Sequence, residues 1–357
     1  MLNSALSDCS AGISIRYRMD GDFFNLRRLQ AKTKTTEALI RDFLYADDCA
    51  LAAHSEESLQ ELADRLASAA TKFGLTISLS KTEVMLQPAP KCNPPSPSIH
   101  INGTQLKNVR EFTYLGSCLS DAADLDCEIS RRLSKASASF GKLWTRVWKE
   151  RGLKVKTKIS VYRAAVLSAL LYGCEAWTLY RRHIRRLEQF HMRCLRKIMG
   201  ISWKDRISNT EVLRRAGLHG IEAYVMQSQL RWAGHVARMD DDRLPKQIFF
   251  SELCNGTRPT GRPLLRFKDT LKATLTDCKI DQASWTTLAQ DRSAWRAKSR
   301  KGVLEFERER LANLDSRRMA HKSRAAQPLN TETAVSCRVC GRLCKSEFGL
   351  RSHMRVH

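Results

Sequence analysis

Acidic residues are scarce: Asp and Glu total 37 against 61 Lys and Arg, which leaves a formal charge of +24. A surface so one-sided repels itself unless it shares an anionic partner; nucleic acid is the first to expect and an anionic membrane a distant second. Long apolar runs are also missing. No stretch approaches the ~20 uninterrupted apolar residues that span a bilayer, and the first residues lack the charged-then-apolar pattern of a secretory leader. The expectation is an intracellular protein with no membrane partner, in the nucleus or else the cytoplasm. The twelve cysteines lack the dense spacing of a secreted disulfide scaffold, and only Cys337, Cys340 and Cys344 cluster, which suits a reducing compartment. There is no phosphate-binding loop of the P-loop type, no internal repeat, and no spacing that makes a Ser/His/Asp case. What remains is an ordinary apolar fraction, 43%, in 357 residues, long enough for two domains or one with an appendage.

Ile13, Ile15, Tyr17 and Met19 alternate with polar residues up to Asp20-Gly21, and Phe23-Phe24 follow, a pattern that predicts a hairpin about Asp-Gly. A second strand–turn–strand unit is expected at 40–53, around Tyr45-Ala46-Asp47-Asp48. Ser55 then opens a helix whose apolar positions Leu59, Leu62, Leu66 and Ala69 recur every three or four residues, with Gly74 just past its end. Residues 75–79 and 84–86 read as strands around Ser80-Lys81-Thr82. Pro88, Pro90, Pro94, Pro95 and Pro97 mark a connector, because neither helix nor sheet interior tolerates that density. Asn102-Gly103 signals another hairpin, and 111–116 reads as extended. From Asp126 the pattern turns helical through stripes at Ile129, Ala136 and Phe140, at 159–172, and at Leu187, Phe190 and Leu195, with further helices at 210–217 and 221–239. Beyond Asp240 the chain reads as a Pro-, Gly- and Arg-rich basic linker, then a charged helical stretch at 304–324.

Adjacent aspartates at a hairpin tip suit nucleotidyl transfer, which needs two divalent cations; carboxylate oxygens match hard Mg2+. Tyr45 can pack beside a primer end, and Ala46 leaves room for close approach of substrate. An isolated Asp pair is more often a plain polar turn, so the surrounding motifs decide.

Those motifs, in order, are Phe43-Leu44-Tyr45-Ala46-Asp47-Asp48, the 59–73 helix with Gly74-Leu75-Thr76-Ile77, Lys81-Thr82-Glu83-Val84-Met85, Phe112-Thr113-Tyr114-Leu115-Gly116, Leu170-Leu171-Tyr172-Gly173-Cys174, and Leu230-Arg231-Trp232-Ala233-Gly234-His235-Val236. Together they resemble the C-terminal part of the reverse transcriptases of non-LTR (LINE-type) retrotransposons, over almost the whole chain. The resemblance implies an RNA-directed DNA polymerase acting on an RNA template and a DNA primer. Asp47 would be a Mg2+ ligand, Asp48 its partner, Lys81 a proton donor to the leaving pyrophosphate, and Phe112, Tyr114, Leu115 and Gly116 a primer grip. It also implies that the first metal-binding aspartate of the family, on an earlier strand, and the nucleotide-binding fingers precede what this chain contains. Asp20 and Asp22 lie too near Asp47 in sequence to replace that aspartate. The expectation is therefore a polymerase fragment not competent alone, or a non-catalytic nucleic-acid-binding module derived from the element.

Cys337, Cys340, His353 and His357 form C-x2-C-x12-H-x3-H. Two thiolates on a hairpin knuckle and two imidazoles one helical turn apart converge tetrahedrally on Zn2+, whose binding replaces the core that so short a segment cannot build. Gly341 suits the turn and Leu350 the helix-side core. Cys344 stands where an aromatic is usual, with Phe348 expected to fill the space and Cys344 itself an alternative ligand. Lys345, Arg351 and Arg355 suggest phosphate contact; because one finger buries little interface, anchoring to target DNA or the element's RNA is the first reading and a protein contact the alternative.

Arg181, Arg182, Arg185 and Arg186 surround an apolar stripe, so that helix is expected to pack on one side and track a phosphate backbone with the other, or else to present a solvated basic face. His191 and Cys194 read as core rather than metal ligands. The fold expected is α+β: a partial palm of antiparallel hairpins plus a helix (1–88), a Pro-rich connector with the primer-grip-like hairpin (89–125), a helical thumb-like region (126–240), a basic linker and charged helix (241–335), and a ββα finger (336–357).

Overall fold

A computed structural model describes residues 6, 9–31, 33–89, 92, 94–255, 261, 263–326, 335–344, 346–355 and 357, with the side chains of 324–326 left aside. Much of the Pro/Gly/Arg stretch (256–260 and 262) and Lys345 therefore lie outside the described residues. The chain divides into two compact units, Met1–Glu307 and Arg308–His357.

In the first unit, β1 (Ile13–Tyr17) lies between β2 (Thr36–Ile40) and β11 (Ser251–Leu253), both antiparallel to it. The expected hairpin about Asp20-Gly21 does not form. Phe23 leaves the sheet and is buried edge-on against Phe250 and Trp285, 5.0 and 5.4 Å between ring centroids, so burial of an aromatic overrides the turn signal. β3 (Asp42–Tyr45) and β4 (Asp48–Leu51) make the expected strand–turn–strand unit. α1 (Glu56–Lys72) starts at Ser55, whose hydroxyl accepts from the Ser58 N–H, and ends before Gly74 in the left-handed region at φ 69°.

Residues 75–79 are irregular rather than a strand, and β5 is only Glu83–Val84, parallel to β8 (Lys107–Asn108). β6 (His100–Ile101) and β7 (Thr104–Gln105) turn at Asn102 and Gly103, φ 50° and 75°. The prolines do not break the packing: Ile99, Ile101 and Leu106 share a core with Ala63 and Ala67 of α1 and with Val84. β9 (Glu111–Tyr114) and β10 (Ser117–Ser120) form the last hairpin of this part.

The helical part runs α2 (Asp126–Lys142), α3 (Val155–Val161, continuing through wider turns at Tyr162–Leu167 to Ser168–Leu170), α4 (Arg181–Met199), α5 (Asn209–Ala216) and α6 (Ile221–Ala237). The stretch read as a basic linker instead carries α7 (Leu244–Phe250), α8 (Phe267–Asp277), α9 (Trp285–Gln290) and the start of α10 (Arg292–Ala326). Leu271, Leu275, Trp285 and Trp295 from it fill one core with Met226, Leu230 and Ala233 of α6. These apolar residues are spaced widely among charges, which hid the pattern. Cys118 and Cys127 form a disulfide where β10 meets the start of α2, a pairing that the scattered-thiol reading did not anticipate.

In the second unit, β12 (Val335–Ser336) and β13 (Leu343–Cys344) pair antiparallel and α11 (Glu347–Met354) follows, a ββα arrangement. Cys344 is buried while Phe348 is 83% exposed, so the sulfur and not the phenyl ring occupies the interior.

Candidate functional site

Tyr45 and Asp48 close the β3–β4 hairpin, leaving Ala46 and Asp47 as its two-residue tip. Ala46 has φ 52°, the left-handed conformation that primed hairpin turns require and that costs a residue with a Cβ about 1–2 kcal/mol. Tyr45 is 65% exposed, and both carboxylates face solvent. The base of the hairpin is held by Leu51 and Ala53, which pack against Leu62 of α1 and against Leu6, Cys9 and Ala11.

The β9–β10 hairpin docks on it. Its turn puts Leu115 and Gly116 at φ 47° and 81°, and the Tyr114 hydroxyl donates to the Phe43 carbonyl at 3.0 Å. Desolvation first, then the nearby Cys49 and Asp48, pushes the Tyr114 phenol up, which keeps it a donor. Phe112 stacks beside Tyr114, 6.5 Å between centroids, because residues two apart on a strand share a face. Leu115 stays exposed at the tip.

A buried ion pair fixes this second hairpin. Glu128 and Arg132, one turn apart on α2, meet at 2.6 Å with both side chains buried. Glu128 accepts from the Cys118 N–H at 2.7 Å, Arg132 donates to the Gly116 carbonyl at 2.5 Å, and its guanidinium lies 4.5 Å over the Tyr172 ring. The Tyr172 hydroxyl donates in turn to the Leu115 carbonyl at 3.2 Å. None of these three residues was singled out from sequence as a site residue. The i, i+4 spacing of Glu128 and Arg132 was a signal for a pair, but nothing in it announced burial.

Other expected site residues are placed less favourably. Lys81 sits exposed in the turn after Ser80, with no hydrogen bond or ion pair to Asp47 or Asp48 among the described residues. On α4, Arg181 pairs with Glu222 at 2.6 Å, Arg182 with Asp126 at 2.6 Å, and Arg186 with Ser130 at 3.0 Å. Three of the four arginines thus fasten α4 to its neighbours, while Arg185 is exposed and without a hydrogen-bond or ion-pair partner among the described residues. His183 joins Asp126 at 3.1 Å; burial pulls its pKa down against the pull of that carboxylate, which keeps the ring neutral. His191 is buried against the Tyr162 hydroxyl at 2.8 Å, and Cys194 lies in the core.

In the second unit Cys337, Cys340, His353 and His357 each present one donor atom, all within 4.8 Å of one another. The Cys340 sulfur and the His357 Nε2 each lie 3.1 Å from His353 Nε2. Backbone N–H groups of Cys340 and Val339 hold the Cys337 thiol below its ordinary range, favouring thiolate. Such convergence of sulfur and imidazole nitrogen is a candidate metal site, and Cys344 is not part of it.

Residues 26–119 match the reverse transcriptase (RNA-dependent DNA polymerase) family. An uncharacterised transposon-derived protein of Caenorhabditis elegans is 30% identical over 269 residues, covering 72% of this chain and 95% of that protein. The RNA-directed DNA polymerase from the mobile element jockey of Drosophila funebris is 26% identical over 193 residues, 51% of this chain but only 20% of that polymerase. No solved structure gave a significant match. These relatives show the family: the chain belongs to the transposon-derived proteins and carries part of a reverse transcriptase domain.

Proposed function

We propose that this chain is the rear portion of a retrotransposon RNA-directed DNA polymerase, holding RNA template and DNA primer beside Asp47 and Asp48, and that it is not competent in synthesis alone. The observation that carries the first half is the Tyr114–Phe43 hydrogen bond, which sets a hairpin with an exposed apolar tip beside exposed paired carboxylates. A primer terminus laid along Leu115 would lie beside them, with Tyr45 as a packing surface. When bound, Mg2+ would neutralise triphosphate charge and activate the primer hydroxyl, with Asp47 and Asp48 as ligands. The second half rests on the family resemblance, in which a further metal-binding aspartate comes from an earlier strand than the one that leads into Asp47 and Asp48. Primer extension with the purified chain, Mg2+ or Mn2+ and dNTPs tests both: no template-dependent product is expected, and product abolished by Asp47→Ala would refute the inactivity.

The second unit is proposed as a C2H2 zinc finger. Tetrahedral ligands at ~2.3 Å (sulfur) and ~2.0 Å (nitrogen) from Zn2+ stand some 3–4 Å apart, and the 3.1 Å spacing of these donors fits. Zinc supplies folding energy here, not chemistry. Arg351 and Arg355 offer phosphate contacts, whereas the exposed Phe348 and Val339 favour a protein contact as a second use. One equivalent of Zn2+ per chain, removed by chelator with loss of helix signal and prevented by Cys337→Ser, is the expected result.

A further inference from the structure

We propose a second nucleic-acid site, remote in sequence from the polymerase hairpins: a groove between α6 and the start of α10 that stacks an unpaired base and grips the adjoining phosphates of a single strand. Its frame begins with a glycine. A Cβ at Gly234 would fall 2.1 Å from the Trp295 indole nitrogen, and that indole donates to the Leu230 carbonyl at 2.9 Å, so α10 seats directly on the backbone of α6. Arg231 and Arg238, three residues before and four after Gly234, flank that contact on the same face of α6, and Trp232 and His235 follow round the helix beside them. The same seating brings Arg292, one turn before Trp295, to face them. These residues line an open groove of about 390 Å3, within the ~300–1,000 Å3 of small-ligand sites.

The groove has the two components that single-strand binding uses. Trp232 and His235 lie 5.7 Å apart at their ring centroids, tilted by 57°, and offer aromatic surface for a base. Arg231 and Arg292 have no hydrogen-bond or ion-pair partner among the described residues. Arg238 commits one nitrogen to the Ala289 carbonyl at 2.6 Å, and its pKa is lowered first by burial and then by Arg292. Two guanidiniums crowded together are relieved by an anion. Among the described residues that line this groove, Glu175 supplies the carboxylate. The surface continues along α10, where Arg292, Arg296 and Arg300 recur every fourth residue beside a second hollow of about 520 Å3. Asp291, which also borders it, already accepts from the Ser293 and Ala294 N–H groups at 2.8 and 3.1 Å. No acidic residue occurs from 292 to 301. A solvated helix face accounts for spaced arginines, but not for their convergence on paired aromatic rings in a chain of charge +24.

The test uses the full chain carrying Cys337→Ser and Cys340→Ser, so that the second unit contributes no zinc-dependent binding and failure of the finger reading does not touch the outcome. Anisotropy of labelled oligo-U, oligo-dT and a duplex is titrated across salt. Trp232→Ala should weaken single-strand binding by at least ~5-fold at unchanged salt slope, and Trp232→Phe should restore most of it. Arg292→Glu with Arg296→Glu, both on the exposed face, should lower the slope by about 1.4, at ~0.7 per phosphate contact on a single strand. Tighter binding of oligo-U than oligo-dT would assign the strand as RNA, and the reverse as DNA. An unchanged slope in the double arginine variant, affinity unaffected by Trp232→Ala in a chain that melts like the parent, or tighter binding of duplex would each overturn the site.

Discussion

Removing either member of the Glu128–Arg132 pair should be among the most damaging single changes in the chain. Glu128→Ala leaves a buried guanidinium with only the Gly116 carbonyl and the face of Tyr172, and strips the Cys118 N–H of its acceptor. Breaking a buried pair from one side costs about 3–5 kcal/mol, and the lost charge-assisted bond to backbone alone is worth about 1.5–3 kcal/mol. Arg132→Ala strands the carboxylate in the same way. The double variant Glu128→Leu, Arg132→Met removes both charges and refills the space, so its loss should be no larger than that of either single change. Urea unfolding by circular dichroism measures the three losses, and hydrogen exchange of amides 111–120 reports the hairpin itself. Both are run with reductant, because the Cys118–Cys127 disulfide otherwise tethers the same strand. A loss in the double variant equal to the sum of the two alanine losses within about 0.5 kcal/mol, or single losses under about 1 kcal/mol, would refute the reasoning.

Two further outcomes follow from the geometry. Gly234→Ala must push Trp295 off α6 and should destabilise by about 1–3 kcal/mol as an overpacked contact, read as a lower melting temperature, whereas Gly103→Ala, with no atom within 4 Å, should cost only its backbone strain. Glu211, held to about 2 by Arg214 and then Arg215, contributes stability that is present above the ordinary glutamate range and lost as pH falls through about 2. A carboxyl NMR titration with a midpoint near 4 would show that these ion pairs do not form.

The acidic hairpin, α1 with its cap, the Asn102-Gly103 turn and the helices from Asp126 to Ala237 were legible because each rests on local signals: a turn residue with positive φ, a capping serine, or a helical apolar stripe. What was lost depended on distant partners. Asp20-Gly21 has the turn chemistry of a hairpin, yet the partner of β1 comes from 36–40 and from 251–253. The helices after Asp240 carry their apolar residues singly among charges, and Trp285 and Trp295 declare themselves core only once α6 lies beneath them. For the site, the residue types at the tip were readable, but what aims them was not. Tyr114 was marked as a primer contact, but no local signal announced that its hydroxyl bonds the Phe43 backbone. The basic helix shows the converse: Arg181, Arg182 and Arg186 look like free charge in sequence and find Glu222, Asp126 and Ser130 in space.

This dependence explains how a two-stranded hairpin stays in place. Among the described residues β3 and β4 pair only with each other, and an isolated hairpin is marginal in water. Its base is secured by Leu51 and Ala53 on the α1 side. Its flank is secured by Tyr114, whose hairpin is tied through Gly116 and Cys118 to the buried pair on α2 and through Leu115 to Tyr172. Orientation of the carboxylates therefore comes from the helical region rather than from neighbouring strands. A strand added beside β3 or β4 would therefore meet a hairpin already aimed, because what holds the carboxylates in place is the packing beneath and the hairpin at its flank.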